Sequence, residues 1–283
     1  MRIRVRGTVR NRFRGALAIG LVLLAASCGS AQVPAEQHGH DDREHTEQGL
    51  RHASSVPHLS VDVVRALEHD PRAFTQGLEV AGGSLYESTG KHGESTVRAL
   101  NPRDGRVLKQ RRLPEKFFGE GLTVVGDRVW QLTWKAGVAF QRDRTSLDEI
   151  RRVHYDGQGW GLCHDGTKLV MSDGSSRLTF RDPNTFAATG GATVRLGGEP
   201  VTELNELECA GGHVWANLWG SDQILRVDPG SGRVTAVVDA AGLLPKGERA
   251  AAGVLNGIAA VDGEFLLTGK NWPRLYRVRF VPR

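Results

Sequence analysis

The sequence predicts an all-β protein, a β-propeller of five four-stranded antiparallel blades, and three observations carry that expectation. A short motif recurs at Phe74-Thr-Gln-Gly-Leu78, Phe118-Gly-Glu-Gly-Leu122, Gly159-Trp-Gly-Leu162, Leu204-Asn-Glu-Leu207 and Leu255-Asn-Gly-Ile258. Its apolar anchors Leu78, Leu122, Leu162, Leu207 and Ile258 follow one another at steps of 44, 40, 45 and 51 residues. Four-stranded blades repeat at about 40–50 residues. No long stretch keeps a helical apolar period, and the 36 glycines among 283 residues exceed the usual share of about 7%, as a fold with many tight turns requires.

The chain opens with residues 1–28, which read as an export signal. Arg2, Arg4, Arg6, Arg10, Arg12 and Arg14 form its basic start, and an apolar run follows from about Ala16 to Ala26, too short for a typical membrane span. Leu24-Ala-Ala-Ser-Cys28 resembles a lipoprotein cleavage site, with Ala25 where leucine is usual. Cys28 is the expected lipidated mature N-terminus, with ordinary secretion as the alternative. Either way the protein is expected outside the cytoplasm, touching a membrane only through the lipid anchor. The basic charge belongs to this leader: 37 basic residues less those six arginines leave 31 against 32 acidic ones. The charge gives no argument for nucleic acid as a partner.

Residues 29–57 carry few apolar side chains, too few to offset the entropy of ordering them. They read as a solvated tether. His38, His40, His45, His52 and His58 match no defined metal-ligand spacing, so they read as part of that polar stretch.

Residues 58–283 make up the expected propeller domain. Leu59-Ser-Val-Asp-Val-Val-Arg-Ala-Leu67 alternates like a strand yet precedes the first repeat. The last repeat runs out after its third strand, Arg274-Leu-Tyr-Arg-Val-Arg-Phe280. One closure explains both ends, in which the N-terminal strand completes the final blade and removes two exposed edges. Within the repeats, Gly82-Gly83, Gly126-Asp127, Asp165-Gly166, Gly211-Gly212 and Asp262-Gly263 sit between pairs of apolar runs and read as hairpin turns. Cys163 and Cys209 fall on the first strands of the third and fourth repeats. A disulfide fits an exported protein, but equivalent strands of neighbouring blades can lie beyond the Cα separation of about 7 Å that a disulfide spans. Two buried free thiols are the expectation.

In such a blade the start of the first strand and the end of the second share one face near the axis. Starts contribute Phe74, Gln76, Phe118, Glu120, Trp160, Asn205, Glu206 and Asn256, and ends contribute Glu87, Trp134, Asp173, Asn217, Trp219, Lys270 and Trp272. The expected result is one aromatic-lined mouth holding a few polar groups, the usual make-up of a small-molecule pocket.

Ten segments in order resemble the plant and bacterial type of glutaminyl cyclase. They are Phe74–Leu78, Glu87–Gly90, Gly119–Thr123, Leu132–Trp134, Gly159–Leu162, Ser172–Ser175, Leu204–Glu208, Asn217–Trp219, Leu255–Ala259 and Thr268–Pro273. The resemblance spans residues 60 to 280 and implies a five-bladed propeller that converts N-terminal glutamine to pyroglutamate with loss of ammonia. Peptides or proteins with N-terminal glutamine are the implied partners.

That reaction is attack of an α-amine on a side-chain amide carbonyl. The amine must lose a proton, the developing oxyanion needs a donor, and the leaving ammonia must gain a proton. Glu120, beside Phe118 and between two glycines, suits the proton shuttle, and the resemblance also makes it the acid/base. Partial desolvation is expected to raise its pKa. Trp134, Trp160 and Trp219 read as a cage for the glutaminyl end, with Phe74 and Phe118 extending its wall. Gln76 and Asn205 can both donate and accept hydrogen bonds to the amide and backbone. Lys270 either polarises the carbonyl oxygen or pairs with Glu120, and the sequence leaves both roles open. Glu206, Asn256, Asp173 and Trp272 read as structural.

The chain shows no His-x-x-Glu-His cluster after residue 60, so catalysis is expected to need no metal and no cofactor. A structural calcium in the axial channel remains compatible with inward carbonyls and carboxylates. Two rival functions stand beside the cyclase. One is a calcium-dependent, lactonase-like propeller hydrolase using Asn205, Glu206, Asn256 and Asp173 as ligands, and the other is a binding propeller with no chemistry. A closed ring leaves no edge that demands a partner, so a monomer is expected.

Overall fold

The computed structural model describes residues 56–283; Cys28, the export signal and the tether histidines up to His52 lie outside the described residues. Strands dominate the described chain, with one short 3-10 turn at Lys246–Glu248. The first strand is β1 (His58–Glu68). The next four, β2 (Thr75–Ala81), β3 (Ser84–Thr89), β4 (Thr96–Leu100) and β5 (Val107–Arg112), pair in sequence order as one antiparallel sheet. A second sheet holds β6 (Gly119–Val125), β7 (Arg128–Thr133), β8 (Val138–Asp143) and β9 (Glu149–His154). A third holds β10 (Leu162–His164), β11 (Leu169–Met171), β12 (Arg177–Arg181) and β13 (Ala188–Thr193). The short strands β14 (Arg195–Leu196) and β15 (Glu199–Pro200) form a small ribbon between the third and fourth repeats.

The remaining strands are β16 (Leu204–Ala210), β17 (His213–Leu218), β18 (Gln223–Val227), β19 (Val234–Asp239), β20 (Leu255–Val261), β21 (Glu264–Gly269) and β22 (Arg274–Pro282). They merge with β1 into an eight-stranded sheet, ordered β16-β17-β18-β19-β1-β22-β21-β20. β1 lies antiparallel to β22 from Leu59 opposite Pro282 to Glu68 opposite Arg274. Its first residues, His58 to Ser60, also run parallel to Val237–Asp239 of β19. The N-terminal strand therefore joins two repeats, where the sequence pointed to only one.

The first strands of the repeats follow one another in a β-propeller arrangement: β2 touches β6 and β20, β6 touches β10, β10 touches β16, and β16 touches β20. Glycine makes their close approach feasible. A Cβ on Gly121 would stand 2.7 Å from the Trp160 carbonyl oxygen, and one on Gly161 would collide with the Asn205 carbonyl. Between the sheets, apolar side chains alternate with these contacts. One cluster joins Cys163, Val170, Leu178, Leu207, Val214 and Val237 across the third and fourth repeats.

The free-thiol expectation for Cys163 and Cys209 is overturned. The two residues form a disulfide with Cα atoms 5.4 Å apart. Close packing of Gly161 against β16 brings β10 and β16 nearer than equivalent strands were expected to come, within disulfide reach.

Four of the first strands carry a register shift at the same place. The pairing slips between Thr75 and Gly77, between Gly119 and Leu122, between Leu204 and Leu207, and between Leu255 and Ile258. Such bulges re-aim side chains next to functional sites, and the displaced residues here include Gln76, Glu120, Asn205 and Asn256.

Candidate active site

Three of the bulges deliver Gln76, Glu120 and Asn205 to one cavity of about 510 Å³, lined by Phe74, Gln76, Phe118, Glu120, Trp134, Trp160, Glu203, Asn205, Trp219 and Lys270. All nine residues expected to catalyse or bind substrate are in that set. Glu203 was not anticipated. Glu87, Asp173, Asn217 and Trp272, also expected near this face, do not line the cavity.

Aromatic rings form the wall in two arcs. Phe74 meets Phe118 edge-on with centroids 6.0 Å apart, and Phe118 meets Trp134 at 5.6 Å. A second group, Trp160 and Trp219, meets edge-on at 6.3 Å. The cage expected from Trp134, Trp160 and Trp219 is thus split between the arcs.

Glu120 sits at the floor and is 4% exposed. Gln76 donates from Nε2 to its Oε1 at 2.7 Å. Asn256 in turn donates to the Gln76 Oε1 at 3.2 Å and to the Thr75 carbonyl at 3.0 Å. Asn256, set aside from the sequence as structural, therefore orients the amide that holds Glu120. Burial raises the Glu120 carboxyl well above its ordinary value, against the opposing pull of the Lys270 charge and the Gln76 hydrogen bond. Removing a charge from water outweighs both partners here.

Lys270 arrives from the turn after β21, where it forms an isolated bridge with Phe74. Its ammonium lies 5.1 Å from the Phe74 ring centroid. Burial lowers its pKa, while Glu120 pulls it back up. Lys270 thus acts on Glu120 through space, and the direct bond to that carboxyl comes from Gln76.

Two lining residues present polar atoms that no protein group satisfies, the Trp160 indole N–H and the Asn205 Oδ1. Buried polar atoms are nearly always partnered, so a donor and an acceptor left unpaired beside this cavity suit a ligand with both an N–H and a carbonyl. Glu206 behaves otherwise. Its two carboxyl oxygens accept from the backbone N–H of Leu78 at 3.1 Å and of Ile258 at 2.8 Å, tying β16 to β2 and β20. That use gives Glu206 a structural role between three first strands. Among the described residues no three His, Cys, Asp or Glu side chains are grouped so as to hold a metal ion.

Glu203 immediately precedes β16 and has φ of 65°. Sequence reading missed it because the repeat begins one residue later, at Leu204, and glutamate carries no turn signature. Its signal is the backbone, which the sequence does not display.

A family model described as glutamine cyclotransferase matches residues 32–280. The chain belongs to the glutamine cyclotransferase family. It is 41% identical over 227 residues to a glutaminyl-peptide cyclotransferase of Arabidopsis thaliana, covering 77% of this chain and 71% of that protein. The crystal structure of Myxococcus xanthus glutaminyl cyclase superposes with a TM-score of 0.75 at 39% identity, covering 81% of this chain and all 100% of that one. The cavity of this family member holds a buried carboxyl, a nearby cation and aromatic walls.

Proposed function

We propose that the chain is a glutaminyl-peptide cyclotransferase, closing the N-terminal glutamine of peptides or proteins to pyroglutamate with release of ammonia, and that Glu120 performs both proton transfers. The observation that carries this reading is the Glu120 carboxyl, buried beneath aromatic walls and held by Gln76 at 2.7 Å. In this scheme the α-amine attacks the side-chain amide carbon, and Glu120 takes the proton that the new C–N bond displaces. The same proton then passes to the amide nitrogen, the C–N bond to it breaks, and ammonia leaves. Glu120 ends as it began. Burial raises its pKa well above the ordinary carboxyl value, which favours the protonated form it needs as an acid.

Lys270 lies where a cation can stabilise the oxygen as it gains charge. The Trp160 indole N–H and the Asn205 Oδ1 hold the peptide carbonyl and an amine hydrogen of the substrate. The aromatic arcs receive the ammonium and the aliphatic stem. The reaction runs without a metal or cofactor in this scheme, and a calcium in the channel would serve structure alone.

The same reading takes the ring of first strands as five blades, the last closed by β1, and the protein as a monomer exported and held to a membrane by acylated Cys28. The Cys163–Cys209 disulfide supports export, because such bonds persist outside the cytoplasm. The mass of the mature N-terminal peptide reads out acylation directly, and a plain cysteine there would remove the anchor from this account.

Ammonia release from a glutaminyl dipeptide by the purified protein tests the function. Activity should survive a chelator and fall by about 10²- to 10⁴-fold in Glu120→Gln. Chelator-sensitive hydrolysis of a lactone with no ammonia from the dipeptide would favour the hydrolase, and no turnover of either would favour a binding propeller.

A further inference from the structure

The substrate's reacting end lies at the floor, so the rest of a peptide must leave through the mouth, and the side chains there meet the residue after the glutamine. Of the ten lining residues only Glu203 and Trp219 are exposed, and Trp219 is 50% exposed. The two are neighbours: the Trp219 N–H donates to the Glu203 carbonyl at 2.9 Å, while the Glu203 N–H donates to the Gly174 carbonyl at 2.7 Å. These bonds pin Glu203 between the strand ends of the third and fourth repeats, with φ at 65°. Glycine or asparagine would adopt that conformation more readily, and strained backbone of this kind gathers at functional sites.

Charge singles out the same residue. Glu120 and Lys270 answer each other at the floor, whereas Glu203 is the remaining charged lining residue and pairs with no cation among the described residues. Two cations outside the lining stand over its aromatic rings, Lys91 5.2 Å from the Phe74 centroid and Lys135 4.1 Å from that of Trp134.

We infer that Glu203 selects the second residue of the substrate, favouring lysine or arginine there over aspartate or glutamate. The inference rests on the cyclotransferase reading of this cavity and adds the class of peptide it prefers. The emerging peptide passes over the lip made by Glu203 and Trp219, where an attached ammonium meets the carboxylate and the flat indole, and an attached carboxylate meets repulsion.

The test compares kcat/KM for ammonia release from amidated Gln-Lys, Gln-Ala and Gln-Glu peptides. The wild-type protein should prefer Gln-Lys to Gln-Glu by about fivefold or more, the attraction for one and the repulsion of the other each contributing a few-fold at an exposed site. About 1 M salt should collapse that ratio, because the screening length falls to about 3 Å. Glu203→Gln should bring the ratio towards one, and Glu203→Lys should invert it. Each ratio is measured within one enzyme preparation, so a partly misfolded variant does not disturb it. Glu203→Gly, which suits the local φ, should match Glu203→Gln. An unchanged ratio in Glu203→Gln would overturn the inference while leaving the cyclotransferase reading intact. A wild-type preference for Gln-Glu would also overturn it, placing the exit over Lys91 and Lys135. No ammonia from any peptide would sink the underlying reading together with this one.

Discussion

Glu120 is held by three residues from two other repeats: Gln76 bonds it, Asn256 fixes Gln76, and Lys270 acts on it through space. Only the first and last of these looked functional in the sequence, because Asn256 sits in a motif, Leu-Asn-Gly-Ile, that a blade can use for packing alone. The Lys270 cation lowers the Glu120 pKa against the larger opposing effect of burial. Lys270→Met should therefore let that pKa climb further and move the acid limb of the kcat/KM profile to higher pH. A limb that stays put in that variant would uncouple Lys270 from Glu120 and leave it a role on substrate alone. The nine pocket residues were legible because each stands at the start or end of a recognisable strand. Glu203 was not, since nothing in its chemistry announces a left-handed backbone.

At the scale of the element, the bulged first strands do the aiming. A regular ladder would send alternate residues to opposite faces, but the slip at Gln76, at Glu120-Gly121, at Asn205-Glu206 and at Asn256-Gly257 gives each strand an extra residue at its start. One of the pair at β16 can then serve the cavity through Asn205 while the other, Glu206, ties the neighbouring strands. The Cys163–Cys209 bond joins β10 and β16 across 46 residues of chain. Closing a loop of that length constrains the unfolded chain by about 4 kcal/mol on the chain-entropy scale. The Cys163→Ala/Cys209→Ala double variant should lose most of that in chemical denaturation, with its pocket residues untouched. A loss well under about 1 kcal/mol would mean that the strand contacts alone fix this pair of sheets. The bond escaped the sequence because its Cα separation depends on how closely Gly161 lets two strands approach.

For the whole molecule, several carboxyls are wholly or partly buried between the first strands away from the cavity. Burial pushes Glu79 up to about 7 from an ordinary value of 4.5, against hydrogen bonds from Thr123 and Val124. Glu206 and Glu208 are also raised well above that value by burial, and the Glu79 charge lifts both further. A raised folded-state pKa means that the folded chain keeps a proton the unfolded chain has released. Stability from Glu79 is complete below 4.5 and is lost as pH rises through about 7, and that from Glu206 and Glu208 is lost in the same direction. The melting temperature should accordingly be higher near pH 5 than near pH 8, and Glu79→Gln should flatten that slope. A profile that rises across the same range would show that these carboxyls are ionised without cost. By itself the sequence determined the strand repeat, the hairpin turns, the pairing of β1 with β22 and nine of the ten pocket residues, because each follows from local pattern and spacing. Tertiary structure alone decided the disulfide, the parallel clasp of β1 on β19, the carboxyl ties of Glu206 and the place of Glu203 at the lip. Those depend on distances between strands far apart in the chain, and such distances are set by close packing at glycines and by backbone angles that residue types do not encode.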